Sequence, residues 1–186
     1  MLNRRGCFPQ FDKFIEQTKD IWTHLVDIRK SFEPRAEELA KKYALAPYTM
    51  FIGSGALWGE TILFSMCILE EMQWKRTRYI TSADFFHGTL ELVEPGVPVF
   101  LFMGEDENRK LDERVRAFLN RGVTGDTDIN IIDTAEFAIP GLDDDFRVIV
   151  SPWILTVLVT DRLARYYETV TKHNLKYRRY YHQFDY

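Results

Sequence analysis

Apolar residues recur at helical spacing early in the chain, at Phe11, Phe14, Ile15, Ile21, Trp22, Leu25 and Val26. The pattern predicts an amphipathic helix over residues 9–30. A second helix is expected to begin at Pro34, because proline suits the first helical position. Glu37 and Glu38 early in it, with Lys41 and Lys42 late, match the helix dipole. The character changes at Tyr48–Ile52, a short β-type run that leads into Gly53-Ser54-Gly55. Residues 57–73 are apolar on most sides of a helix, which marks a buried one. Arg78–Thr81 suggests a second strand. Val97–Met103 is a continuous apolar run between Pro95-Gly96 and Gly104, as in a strand covered on both faces. Glu107–Asn120 reads as an amphipathic helix, Ile129–Ile132 as a strand, and Phe146 to about Val170 as largely helical, with an early break or start at Pro152. A polar, aromatic tail follows from His173.

Strands that alternate with helices in this way predict a mainly parallel sheet between helical layers, a three-layer α/β/α sandwich preceded by N-terminal helices. We read residues 1–46 as a helical arm or linker and 47–186 as a single domain with a tail. Ligands of such sheets bind at the carboxyl ends of the strands. The Gly53–Gly55 turn and the Phe85-Phe86-His87-Gly88 loop each follow a strand there.

Composition narrows the partners. The chain of 186 residues is 46% apolar and 15% aromatic, with a net charge of −4, enough for a sizeable core and against nucleic acid as the main partner. The basic run Lys172–Arg179 reads as a solvated C-terminal face or a phosphate contact. Two cysteines and no apolar stretch in Met1–Gln10 suit a cytoplasmic protein without a disulfide framework. The most apolar segment, Val148–Val159, is shorter than the about 20 residues a membrane span needs. Cysteines and histidines lack metal-ligand spacing, so no metal is expected. The dinucleotide fingerprint fails at Trp58, where its third glycine would stand, so no nicotinamide cofactor is expected either.

Two features carry candidate chemistry. Gly53, Ser54 and Gly55 open a helix whose free amides suit an anion, or they form a tight turn that needs glycine. Glu71 near the end of the apolar helix and His87 on the aromatic loop, 16 positions apart, are a carboxylate and an imidazole able to move protons. Each also has a plain structural reading, a solvated acid and a structural histidine.

The segments Ile68-Leu69-Glu70-Glu71-Met72-Gln73-Trp74 and Phe85-Phe86-His87-Gly88-Thr89-Leu90 through Pro98 resemble the C-terminal SIS (sugar isomerase) lobe of fructosamine-6-phosphate deglycases. Leu111–Arg114 through Leu119 and the ending Arg178-Arg179-Tyr180-Tyr181 to Tyr186 agree with it. The resemblance runs from about Tyr48 to the C-terminus, and more loosely before that. It implies a SIS-type, flavodoxin-like fold and the acid/base breakdown of a phosphorylated fructosamine to an aldose 6-phosphate and a free amine. It gives Glu71 the role of general base, and His87 that of general acid or proton shuttle. Tyr180 stands where the glucosamine-6-phosphate synthase relatives carry a ring-opening lysine, as it does in deglycases. Thr89 stands where the family usually has proline. Family members have two SIS lobes, and the other lobe's Ser/Thr-rich phosphate loop has no counterpart in this sequence. The resemblance therefore implies a homodimer, a higher oligomer or a second lobe, with the phosphate on another chain or on the Gly53–Ala56 turn. A non-catalytic sugar-phosphate-binding module, or an isomerase or deaminase of the same fold, is the alternative.

Overall fold

The computed structural model describes residues 3–122, 125 and 127–185. Four parallel strands, β1 (Thr49–Gly53), β2 (Thr77–Ile80), β3 (Val99–Met103) and β4 (Ile129–Asp133), form one sheet in the order β2-β1-β3-β4. Their registers pair Phe51 with Tyr79 and Phe100, and Leu101 with Ile131. Every residue of β1 and β3 is buried. The alternation hidden in their apolar runs divides two cores. Phe51, Phe100, Phe102 and Ile132 face one layer of helices; Met50, Ile52, Leu101 and Met103 face the other.

The first layer holds α1 (Phe11–Gln17), α2 (Ile21–Tyr43), α3 (Trp58–Ile62), α5 (Asp144–Leu155) and α6 (Ala164–Thr171). The second is built on α4 (Arg109–Leu119), with the Phe85 turn beside it. This is the expected parallel α/β sandwich. Among the described residues no helix is long and apolar enough to cross a membrane.

Several boundaries differ from the sequence reading. The helix expected over residues 9–30 is cut at Thr18, whose hydroxyl donates to Phe14 O at 2.7 Å while Ile21 N donates back to Thr18 O. The next helix does not start at Pro34; Pro34 lies inside α2. Burial of Ile28, Phe32, Ala36, Leu39 and Tyr43 along one stripe offsets the hydrogen bond that proline removes. These side chains lie in the same core as Phe51 and Phe64, so residues 11–43 pack as part of the sandwich. Pro152 likewise lies within α5 and does not break it. Two expected α-helical stretches wind as π-helix, Leu63–Met72 after α3 and Thr156–Leu163 between α5 and α6.

Candidate active site

Because the strands are parallel, the helix between β1 and β2 must run back to the amino end of the sheet. Its last turn carries Glu71 there, while His87 lies past the carboxyl end of β2. β2 alone spans about 10 Å (four residues at about 3.3 Å rise). The two groups expected to meet one sugar therefore line separate hollows within a single copy.

The Glu71 hollow, about 400 Å³, lies between the end of the π-helix and the tail. Trp74 closes the helix in the left-handed conformation (φ 53°), a place where glycine is usual. The helix end is completed by Trp74 N donating to Glu70 O and Lys75 N to Leu69 O. Several contacts fold the tail onto it. Gln73 Nε2 donates to His173 O at 2.5 Å, Thr171 Oγ1 donates to Gln73 Oε1 at 2.7 Å, and His173 lies edge-on to Trp74 at 4.3 Å. Arg178 is fixed by its bonds to Leu175 O and Tyr177 O, and its Nε meets Glu71 Oε1 at 2.8 Å. The next guanidinium, Arg179, lies over the Trp74 ring at 4.3 Å. Tyr180, 62% exposed, lines the same hollow. Lys75 is drawn below the ordinary lysine range by burial, and it donates to the carbonyls of Ala44 and Ala46. Glu70 is taken up by the Thr77 hydroxyl at 2.5 Å. The sequence reads the basic tail as a solvated face or a phosphate contact. That reading missed Arg178 and Arg179 as neighbours of Glu71 and Trp74, because a contact across about a hundred residues leaves no local pattern.

His87 is exposed at the end of a 3-10 turn, Asp84–His87. Thr81 starts this turn: its hydroxyl donates to Asp84 Oδ2 at 2.7 Å and accepts from Asp84 N at 3.0 Å. Phe85 anchors the turn, fully buried, with Phe86 and Phe118 edge-on to it at 5.1 and 5.7 Å. Gly88 follows at φ 152°, and Thr89, the departure from the family's proline, is buried. Arg78, Asp84 and Leu92 also line this hollow of about 530 Å³.

The Gly53–Gly55 turn does not present itself as an anion seat. The amide of Ala56 donates to Asp106 Oδ2, and a Cβ on Gly55 (φ 54°) would collide with that carboxylate. A Cβ on Gly53 would strike Thr61 Oγ1. The surrounding hollow carries Glu105, Asp106, Glu107, Asp144 and Asp145, which repel a phosphate. Ser54 Oγ is buried and accepts from Ser82 N at 2.8 Å. Ser82 Oγ donates on to Asp112 Oδ1 at 2.5 Å, and Gly104 N reaches Asp112 Oδ2 at 3.3 Å. This network ties together the carboxyl ends of β1, β2 and β3. Burial pushes the Asp112 carboxyl up to about 6.

No family model matches the sequence. Fructosamine deglycase FrlB of Bacillus subtilis is 28% identical over 183 residues, which are 97% of this chain and 53% of the relative. Fructoselysine 6-phosphate deglycase of Escherichia coli is 27% identical over 184 residues, 97% of this chain and 51% of the relative. Crystal structures of proteins assigned as phosphosugar isomerases superpose at 27% identity, one from Bacillus subtilis with a TM-score of 0.87 and one from Salmonella typhimurium with 0.88. They match 95% and 100% of this chain, and 53% and 56% of the solved chains. The C-terminal domain of glucosamine-fructose-6-phosphate aminotransferase from Francisella tularensis shares the fold, with a TM-score of 0.64 at 14% identity over 90% of this chain and 47% of its own. The likeness read from the residues is therefore to the family these deglycases represent, on a phosphosugar isomerase fold. The chain spans about half the length of the curated relatives it matches.

Proposed function

We propose that this chain is one lobe of a sugar-phosphate deglycase, in which Glu71 of one copy and His87 of a second copy or lobe face the same phosphorylated fructosamine. The observation that carries the shared site is the position of the two groups at opposite ends of β2. Among the described residues, the hollow that Glu71 lines and the hollow that His87 lines are separate. The named deglycase relatives support the reaction class.

The chemistry suits the groups. In a fructosamine the carbon between carbonyl and amine carries an acidic proton. Glu71 removes it and leaves an enaminol, stabilised as negative charge moves onto the carbonyl oxygen. His87 supplies or relays the proton that returns to the neighbouring carbon, giving a Schiff base. Water adds to the imine carbon, the carbon–nitrogen bond breaks, and the products are an aldose 6-phosphate and a free amine. Tyr180 lies at the mouth of the Glu71 hollow, where it can contact the sugar. The phosphate falls to the partner copy or lobe, since the Gly53–Gly55 turn is occupied by the chain's own acids. The reaction needs no cofactor or metal, and a cytoplasmic setting fits the two free thiols.

The assay is amine release from a fructosamine 6-phosphate. Glu71→Gln and His87→Ala should each lower the rate about 10²–10⁴-fold, the usual worth of a positioned acid or base. Unchanged release by both variants would refute the assignment. Tight binding of a hexose phosphate with no turnover would favour a sugar-phosphate sensor instead.

A further inference from the structure

Three positive side chains line the Glu71 hollow, and two of them are already engaged. Lys75 is held by the carbonyls of Ala44 and Ala46, and Arg178 is paired with Glu71. Arg179 differs. Its guanidinium rests on the indole of Trp74 at 4.3 Å, and among the described residues no carboxylate pairs with it. A guanidinium held over an aromatic face keeps its N–H groups for other partners, and its planar fork suits an oxyanion gripped with two hydrogen bonds. The platform itself is held in a strained backbone. Trp74 occupies the left-handed region, which a residue without glycine's freedom rarely adopts. His173 braces the ring from the other element.

We propose that Arg179 is a specificity-determining residue that receives a carboxylate carried on the amine portion of the substrate. This rests on the reading of Glu71 as the base. Glu71 must reach the carbon that bears the nitrogen. An anion in the same hollow is therefore an anion near that nitrogen, and the carboxylate of an amino acid joined through its α-nitrogen lies only two bonds beyond it. The phosphate sits at the far end of the six-carbon chain, away from the reacting bond. The shared chemistry is an oxyanion in a guanidinium fork, and position within the substrate decides which oxyanion it is.

The test uses two hexitol 6-phosphates that lack the ketone and so cannot react, one with glycine on carbon 1 and one with glycinamide. Binding of each is measured calorimetrically with the wild-type chain, Arg179→Gln and Arg179→Lys. The wild type should prefer the glycine ligand by about 10–100-fold, the worth of a charge-assisted bidentate contact. In Arg179→Gln the ratio should fall towards 1, and Arg179→Lys should retain an intermediate ratio, since a lysine keeps the charge and loses the fork. A ratio that persists in Arg179→Gln overturns the inference. Equal weakening of both ligands overturns it too, because it would assign Arg179 to the phosphate or to the fold. So does absence of binding by either ligand to the wild type. The assignment of Glu71 is judged separately by turnover: intact amine release in Glu71→Gln would sink the base while leaving a collapsed ratio in Arg179→Gln standing.

Discussion

Replacing Asp112 by asparagine probes the joint that sets the carboxyl ends of three strands. Asp112 is 1% exposed. Its carboxylate accepts from Ser82 Oγ and Gly104 N, and the charges around it are Arg109, which favours ionisation, and Asp106, which opposes it. Desolvation outweighs these and pushes the group up to about 6, against about 3.9 in an unfolded chain. Between those values the native state holds more protons than the unfolded one, so this group makes stability fall as pH rises through that window. Two pH units at about 1.4 kcal/mol each give a loss of up to about 3 kcal/mol, complete by about pH 7. An asparagine keeps the shape: its carbonyl can accept from Gly104 N while its amide donates to Ser82 Oγ. Urea unfolding of the wild type and Asp112→Asn, compared at pH 4, 5, 6 and 7, isolates the term, because every other titrating group cancels in the difference. The variant should gain on the wild type by about 2–3 kcal/mol between pH 4 and pH 7. A difference that stays flat over that range, or one that moves against the variant, would refute the reasoning.

Two further substitutions test local claims. Gly55→Ala forces a Cβ into the left-handed region and against the Asp106 carboxylate, so it should cost about 2–5 kcal/mol in denaturant unfolding; a loss under 0.5 kcal/mol, as estimated for unstrained sites, would show that the turn does not need glycine. Phe85→Ala empties the anchor beneath the His87 turn and should cost about 3–5 kcal/mol, with faster amide exchange in residues 84–92 than elsewhere; uniform exchange would detach the turn from its anchor.

Much of this architecture was legible in the residues, for physical reasons that also mark where legibility stops. The run Val97–Met103 announces a strand buried on both faces and Tyr48–Ile52 a short strand, both of which form within a residue or two of those bounds, and the alternation of strands with helices points to a parallel sheet. Proline was misread twice: Pro34 and Pro152 sit inside helices because burial along the remaining stripe exceeds the cost of one missing hydrogen bond. The π-winding of Leu63–Met72 leaves no trace in apolar spacing, since a helix apolar on most sides hides its period. The 16-residue spacing of Glu71 and His87 leaves open whether they meet within one copy or across two, and a helix end, a strand and a turn in succession carry the two to opposite ends of β2. The Gly53–Gly55 turn was open to two readings, and the choice lay with Asp106, half a hundred residues away. The Trp74–Arg179 stack needs the tail to fold back onto the first crossover, a contact with no signature in either segment.

The most direct measurement mixes two inactive proteins. Glu71→Gln and His87→Ala are unfolded together, refolded, and assayed for amine release from a fructosamine 6-phosphate. If one copy's carboxylate works with another copy's imidazole, mixed assemblies hold one intact site and release should recover to roughly a quarter of the wild-type rate per chain, as expected for random pairing of one site in four. Recovery no greater than the sum of the two variants alone would contradict a site shared between copies.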